Sequence, residues 1–130
     1  MRVSDVGKGD IFLVDDNPNN LTLLYGILKT AGYQVRVASS GRRALDTIGA
    51  YPPELIMLDI QMPEMDGYEA TRQIKAIAPD LPIIAQTAHA FNEEREKCLA
   101  AGMIGHLAKP IDPQALLELV REHWPARIPG

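Results

Sequence analysis

Residues 55–67 run LIMLDIQMPEMDG. An apolar stretch of strand length ends on one carboxylate, Asp59, and a Met-Pro step and a helix-opening Asp66-Gly67 pair follow. An apolar run that does not alternate, bounded by turn signals, is what a strand covered on both faces requires. Such strands belong to open α/β sheets, whose ligands bind just beyond the strands' carboxyl ends. Asp59 therefore stands where chemistry is expected.

Three further runs repeat the pattern. Residues 11–14 (IFLV) end in Asp15 and Asp16, residues 82–87 end on the hydroxyl of Thr87, and residues 104–108 end at Lys109-Pro110. Amphipathic helices are expected between them. Asn17 suits an N-cap and Pro18 a first helical position. Leu21, Leu24, Tyr25 and Leu28 then follow at helical spacing, and Gly32 suits a left-handed stop. Residues 33–38 alternate as a strand. A short helix follows Ser39-Ser40-Gly41, with Ala44, Leu45 and Ile48 inward. Asp66 caps another helix, with Glu69 at capping-box spacing and Ala70, Ile74 and Ile77 on its inner face. Residues 88–102 predict a helix that is nearly all polar between 92 and 97, hence loosely held. Asp112 and Pro113 open a last helix with Leu116, Leu117 and Val120 inward, ending at Trp124.

Five alternations of strand and helix with short links predict a parallel sheet covered on both faces. The commonest single-domain form is the flavodoxin-like (βα)5 doubly wound sheet, strand order 2-1-3-4-5. The boundaries expected are a flexible arm over 1–9, one domain over 10–124 and a tail over 125–130.

A chain of 130 residues is the size of one domain and can bury a real core. Its net charge of −4, with scattered Lys and Arg, gives no electrostatic footprint for nucleic acid. The single cysteine, Cys98, excludes an internal disulfide and falls at an apolar helix position, where a buried thiol is expected. No signal-peptide core and no apolar run of about 18 residues is present, so a cytoplasmic location is expected. No His/Cys set has zinc spacing.

Asp15, Asp16 and Asp59 converge at one sheet edge and repel one another. At an effective dielectric of about 20, two charges about 4 Å apart interact by roughly 4 kcal/mol. A cluster carrying that repulsion suits a hard cation; Mg2+ takes oxygen ligands and pairs carboxylates with phosphate. Lys109 adds a fixed positive charge and Thr87 a donor, an arrangement suited to a phosphoryl group carried on a carboxylate.

In these residues the chain resembles the receiver domains of two-component response regulators, from about residue 11 to 124. The matching features are Asp15-Asp16, Asp59 in its LDIQMPEMDG run, Thr87 in QTAHA, and Lys109-Pro110. The TAHA, REKCLAAGM and AKPI stretches look most like receivers in, or partnered with, hybrid sensor kinases. The resemblance implies that Asp59 is phosphorylated by a histidine kinase or a histidine phosphotransfer protein. It implies Mg2+ held by Asp15, Asp16, Asp59 and the backbone carbonyl of Gln61. Thr87 would follow the phosphoryl group, Lys109 would contact its oxygens, and the Lys109-Pro110 bond would be cis. The small Ala88 would leave room for the phosphodonor, while Gln61 and His89 would tune the lifetime of the phosphorylated form. The protein would catalyse only its own phosphorylation and dephosphorylation, and act as a monomer or weak dimer on an output partner.

Two positions depart from the family pattern. His106 stands where an aromatic switch residue is usual, and Gln86 where a large apolar residue usually precedes the threonine. The expectation is that His106 still switches, with a pH sensitivity that imidazole can supply. Two other functions share part of this pattern. Haloacid-dehalogenase-like hydrolases resemble a D-x-D arrangement with a cap insertion, and this chain has adjacent Asp15-Asp16 and no room for a cap. Phosphorylation-independent receiver-like modules tend to lose the acidic pair, the acceptor or the lysine, and here all are present.

Overall fold

Strand β3, Leu55–Asp59, is buried along its whole length, and its neighbours explain why. The chain alternates β1 Asp10–Val14, α1 Pro18–Thr30, β2 Gln34–Ala38, α2 Gly41–Ala50, β3, α3 Gly67–Ile77, β4 Ile83–Thr87, α4 Asn92–Ala101, β5 Gly105–Ala108 and α5 Pro113–His123. The computed structural model describes residues 9–62, 65–88 and 92–124. The five strands form one sheet in the order β2-β1-β3-β4-β5, and every pairing is parallel. The expected flavodoxin-like order is the one found. Most of the expected arm, the expected tail, residues 63 and 64, and His89 lie outside the described residues.

Strand alternation divides the core into two layers. Phe12, Val14, Ile56, Leu58, Ile83 and Ala85 pack against α2, α3 and α4 through Ala44, Ile48, Ala70, Ile74 and Cys98. Ile11, Leu13, Leu55, Met57 and Ile84 pack against α1 and α5 through Leu24, Leu28, Leu116 and Val120. Trp124 completes the second layer, its ring centroid 5.3 Å from that of Tyr33.

Local chemistry fixes the helix ends. Asn17 accepts from the Asn19 and Asn20 amides, Ser40 from Arg43, Asp66 from Glu69 and Asp112 from Ala115. Each such cap is worth about 1 kcal/mol. Glu69 does not complete a reciprocal box; its carboxylate takes Arg72 and Gln73 instead. Gly32, at φ 104°, ends α1 with the Tyr33 amide bonded to the Leu28 carbonyl, and Gly102, at φ 108°, does the same for α4 with Met103 and Cys98.

Four expectations are corrected. Tyr25 is exposed: it turns about 100° from its buried neighbour Leu24, outside the apolar stripe. Ile77 is also exposed, because the buried arc of α3 runs through Gly67, Ala70, Thr71 and Ile74 and misses its last residue. β2 starts at Gln34 rather than Tyr33, whose amide is committed to closing α1. The final strand starts at Gly105 rather than at residue 104, although the Ile104 amide already donates to the Ile83 carbonyl. Helix α4 buries Cys98 while Leu99 stays exposed, which bears out the narrow apolar face. No helix among the described residues is long and apolar enough to cross a membrane.

Candidate functional site

Parallel pairing brings the strand ends level. Val14 lies beside Leu58, Asp59 beside Gln86, and Thr87 beside Ala108. Asp15 follows Val14 directly and Lys109 follows Ala108, so residues up to 94 positions apart in sequence (15 and 109) meet at one rim. Asp15 is wholly buried and Asp59 is 3 % exposed, while Asp16 faces solvent. One ligand atom from each of Asp15, Asp16 and Asp59 lies within 4.8 Å of the others. Lys109 Nζ stands 3.4 Å from Asp59 Oδ2 and 3.6 Å from Asp15 Oδ2.

The carboxylates are held by the backbone. The Gln61 amide donates to Asp59 Oδ1 at 3.0 Å, and the Asn17 amide to Asp15 Oδ1 at 2.9 Å. The Lys109 amide donates to the Thr87 carbonyl at 2.8 Å, and the Lys109-Pro110 bond is cis. Burial pushes the Asp59 carboxyl up from 3.8 to about 6. The Gln61 amide opposes that shift, Asp15 adds to it, and Lys109 opposes it. The site is thus short of positive charge, and its donors are all oxygen. That is the donor chemistry of Mg2+ and related hard ions, so the residues present fit such an ion.

Thr87 is fully buried at the β4 tip. His106 is half-buried and pairs with Ala85, two residues back from the rim. Gln61 exposes its side chain and contributes its amide. Cys98 is buried and its thiol is pushed up by desolvation, the mark of an inert packing residue. Two residues not assigned a role from sequence also reach this rim. Asn20, on the first turn of α1, donates from Nδ2 to Asp15 Oδ2 and, at 2.7 Å, to Gln86 Oε1. Asn20 had only its place after a Pro18 helix start to mark it. Gln86 was marked only as a polar residue where an apolar one is usual.

The family profile described as the response regulator receiver domain matches residues 11–121. The chain is 40 % identical over 117 residues to the signal transduction histidine-protein kinase BarA of Escherichia coli K12. It is 39 % identical over 109 residues to the sensor histidine kinase RcsC of the same organism. These matches cover 88 % and 84 % of this chain but only 13 % and 12 % of the kinases. Among solved structures, the receiver domain of sensor histidine kinase PA1611 from Pseudomonas aeruginosa, described with a magnesium ion in its active-site cleft, superposes with a TM-score of 0.81 at 38 % identity. That match covers 88 % of this chain and 95 % of the other. The chemotaxis protein CheY4 of Vibrio cholerae gives 0.83 at 28 % identity, covering 88 % and 97 %.

Proposed function

Since the chain belongs to the response regulator receiver domain family, the signalling modules of two-component systems, we propose that it accepts a phosphoryl group on Asp59 from a histidine kinase or histidine phosphotransfer protein. The observation that carries this reading is the buried Asp59 carboxylate, grouped with Asp15 and Asp16 and faced by Lys109 at 3.4 Å. The functional unit is taken as residues 10–124.

The transfer balances simply. An Asp59 carboxylate oxygen attacks phosphorus as the bond from phosphorus to the donor imidazole nitrogen breaks, and that nitrogen keeps the electron pair. Attack needs the ionised carboxylate, and a group titrating at about 6 is ionised at neutral pH. The Gln61 amide fixes one Asp59 oxygen and so orients the other. Lys109 exchanges its carboxylate contact for the incoming phosphoryl oxygens, a charge-assisted contact that strengthens as charge moves onto them. Mg2+ would be held by Asp15, Asp16, Asp59 and the Gln61 carbonyl, and it supplies the positive charge that the rim lacks. Thr87, at the adjoining tip, donates its hydroxyl to the phosphorylated group, and His106 behind it responds to that movement.

Incubation with acetyl phosphate or phosphoramidate and Mg2+ tests the reading by mass. One labile phosphate adduct, absent in Asp59→Asn, is the expected result. Steady hydrolysis of small phosphate esters, or no adduct, would overturn it. In the same sample the amide resonances of residues 88–107 shift on phosphorylation; if none moves, His106 has no part in switching. Mg2+ raises Tm by binding only the folded carboxylate cluster, and Asp15→Asn removes most of that rise.

A further inference from the structure

Asn20 and Gln86 lie 66 positions apart, on α1 and at the buried end of β4, and meet beside Asp15. An ionised carboxylate only accepts, so Asp15 fixes which atom of Asn20 faces it. The two hydrogens of Asn20 Nδ2 go one to Asp15 Oδ2 and one to Gln86 Oε1. Turning either amide over would set donor against donor or acceptor against acceptor. Both amides are therefore locked by the Asp15 charge.

The lock has a cost. Gln86 is wholly buried, and with its oxygen on Asn20 its Nε2 meets no partner among the described residues. A buried donor left without a partner destabilises a fold, and an apolar side chain of similar volume would avoid the loss. Position 86 thus carries a polar group that the core gains nothing from. What it does provide is an anchor for Asn20. With the Asn17 amide on Oδ1 and Asn20 on Oδ2, both oxygens of Asp15 are held in place.

We propose that Asn20 and Gln86 are positioning residues for the metal: Gln86 holds Asn20, and Asn20 holds Asp15 in its cation-binding orientation. The inference rests on Asp15 being a metal ligand, as in the proposed function. Groups that orient a ligand typically change metal affinity about 10–100-fold when lost. Asn20→Ala is expected at the lower end, about tenfold weaker for Mg2+, and Gln86→Met, which keeps Asn20, weaker by no more than that.

Calorimetric titration of Mg2+ into the full chain, with Tm read on the metal-free protein, tests this. Gln86→Met should weaken Mg2+ binding while leaving Tm equal or higher, because it removes the orphan donor. The double variant should bind no more weakly than Asn20→Ala alone, since Gln86 acts through Asn20. Mg2+ affinity unchanged in Gln86→Met, additive losses in the double variant, or affinity and Tm falling together would each overturn the inference while leaving the phosphoacceptor reading intact. A wild-type protein that binds no Mg2+ would overturn both. Should Gln86→Met fail to fold, Asn20→Ser, at a half-buried helix position, carries the same titration.

Discussion

Asp59→Asn is expected to stabilise the metal-free protein by about 1–2 kcal/mol near pH 7.5 after solvent screening, raising Tm by about 5 °C. Burial and the neighbouring Asp15 raise the Asp59 carboxyl from 3.8 to about 6, against the pull of Gln61 and Lys109. Below 3.8 the group is neutral in both folded and unfolded chains and costs nothing. Between 3.8 and about 6 the unfolded chain gives up its proton first, so the ionised form favours unfolding and stability falls as pH rises. Above that window the loss is complete. The gap between the two proteins should therefore be near zero at about pH 3.5, open through the window and level off. Thermal denaturation across pH in a chelating buffer reads it directly. Equal Tm values near neutrality would mean that Lys109 fully offsets the Asp59 charge. Saturating Mg2+ should narrow the gap, because the ion favours the carboxylate that the asparagine lacks.

Gly67→Ala should cost about 3 kcal/mol, the upper part of the range for overpacking. A Cβ at Gly67 would stand 2.5 Å from Ile60 Cα and 2.7 Å from the Asp59 carbonyl oxygen. Both obstacles are main chain, so no side chain can swing aside. The helix gain of about 0.5–1 kcal/mol for replacing glycine by alanine is too small to compensate. Gly26→Ala is the control: it sits inside α1 with nothing within 4 Å of the added carbon, and should stabilise by that same increment. Urea unfolding of the two variants should move the midpoint in opposite directions. Because the displaced backbone belongs to residues 59 and 60, Gly67→Ala should also slow adduct formation; Gly26→Ala should not.

The rim was legible in the sequence because strand ends announce themselves. Asp59, Asp15 and Asp16 each close an apolar run, and a parallel sheet can only bring such ends together. The covered strands were equally plain, having no polar face to hide. Errors fell at the margins of the helical stripes. Tyr25 and Ile77 satisfy the spacing of an inner face but lie outside the buried arc, which neighbouring elements set and local periodicity does not. The start of β2 is hidden from the pattern because the Tyr33 amide is spent on ending α1. Asn20 was invisible for a deeper reason: its partners lie 5 and 66 positions away, and only the closed sheet shows that all three meet. Gln86 did leave a trace, as a polar residue where the pattern wanted an apolar one, but the trace named no partner.

Helix α4 rests on the sheet mainly through Cys98, with Glu93, Arg95, Glu96 and Lys97 outward. Its outer positions therefore carry little of the folding free energy. That strip can therefore change in sequence at little cost to the fold, while the carboxylate rim, fixed by deeply covered strands, stays as it is.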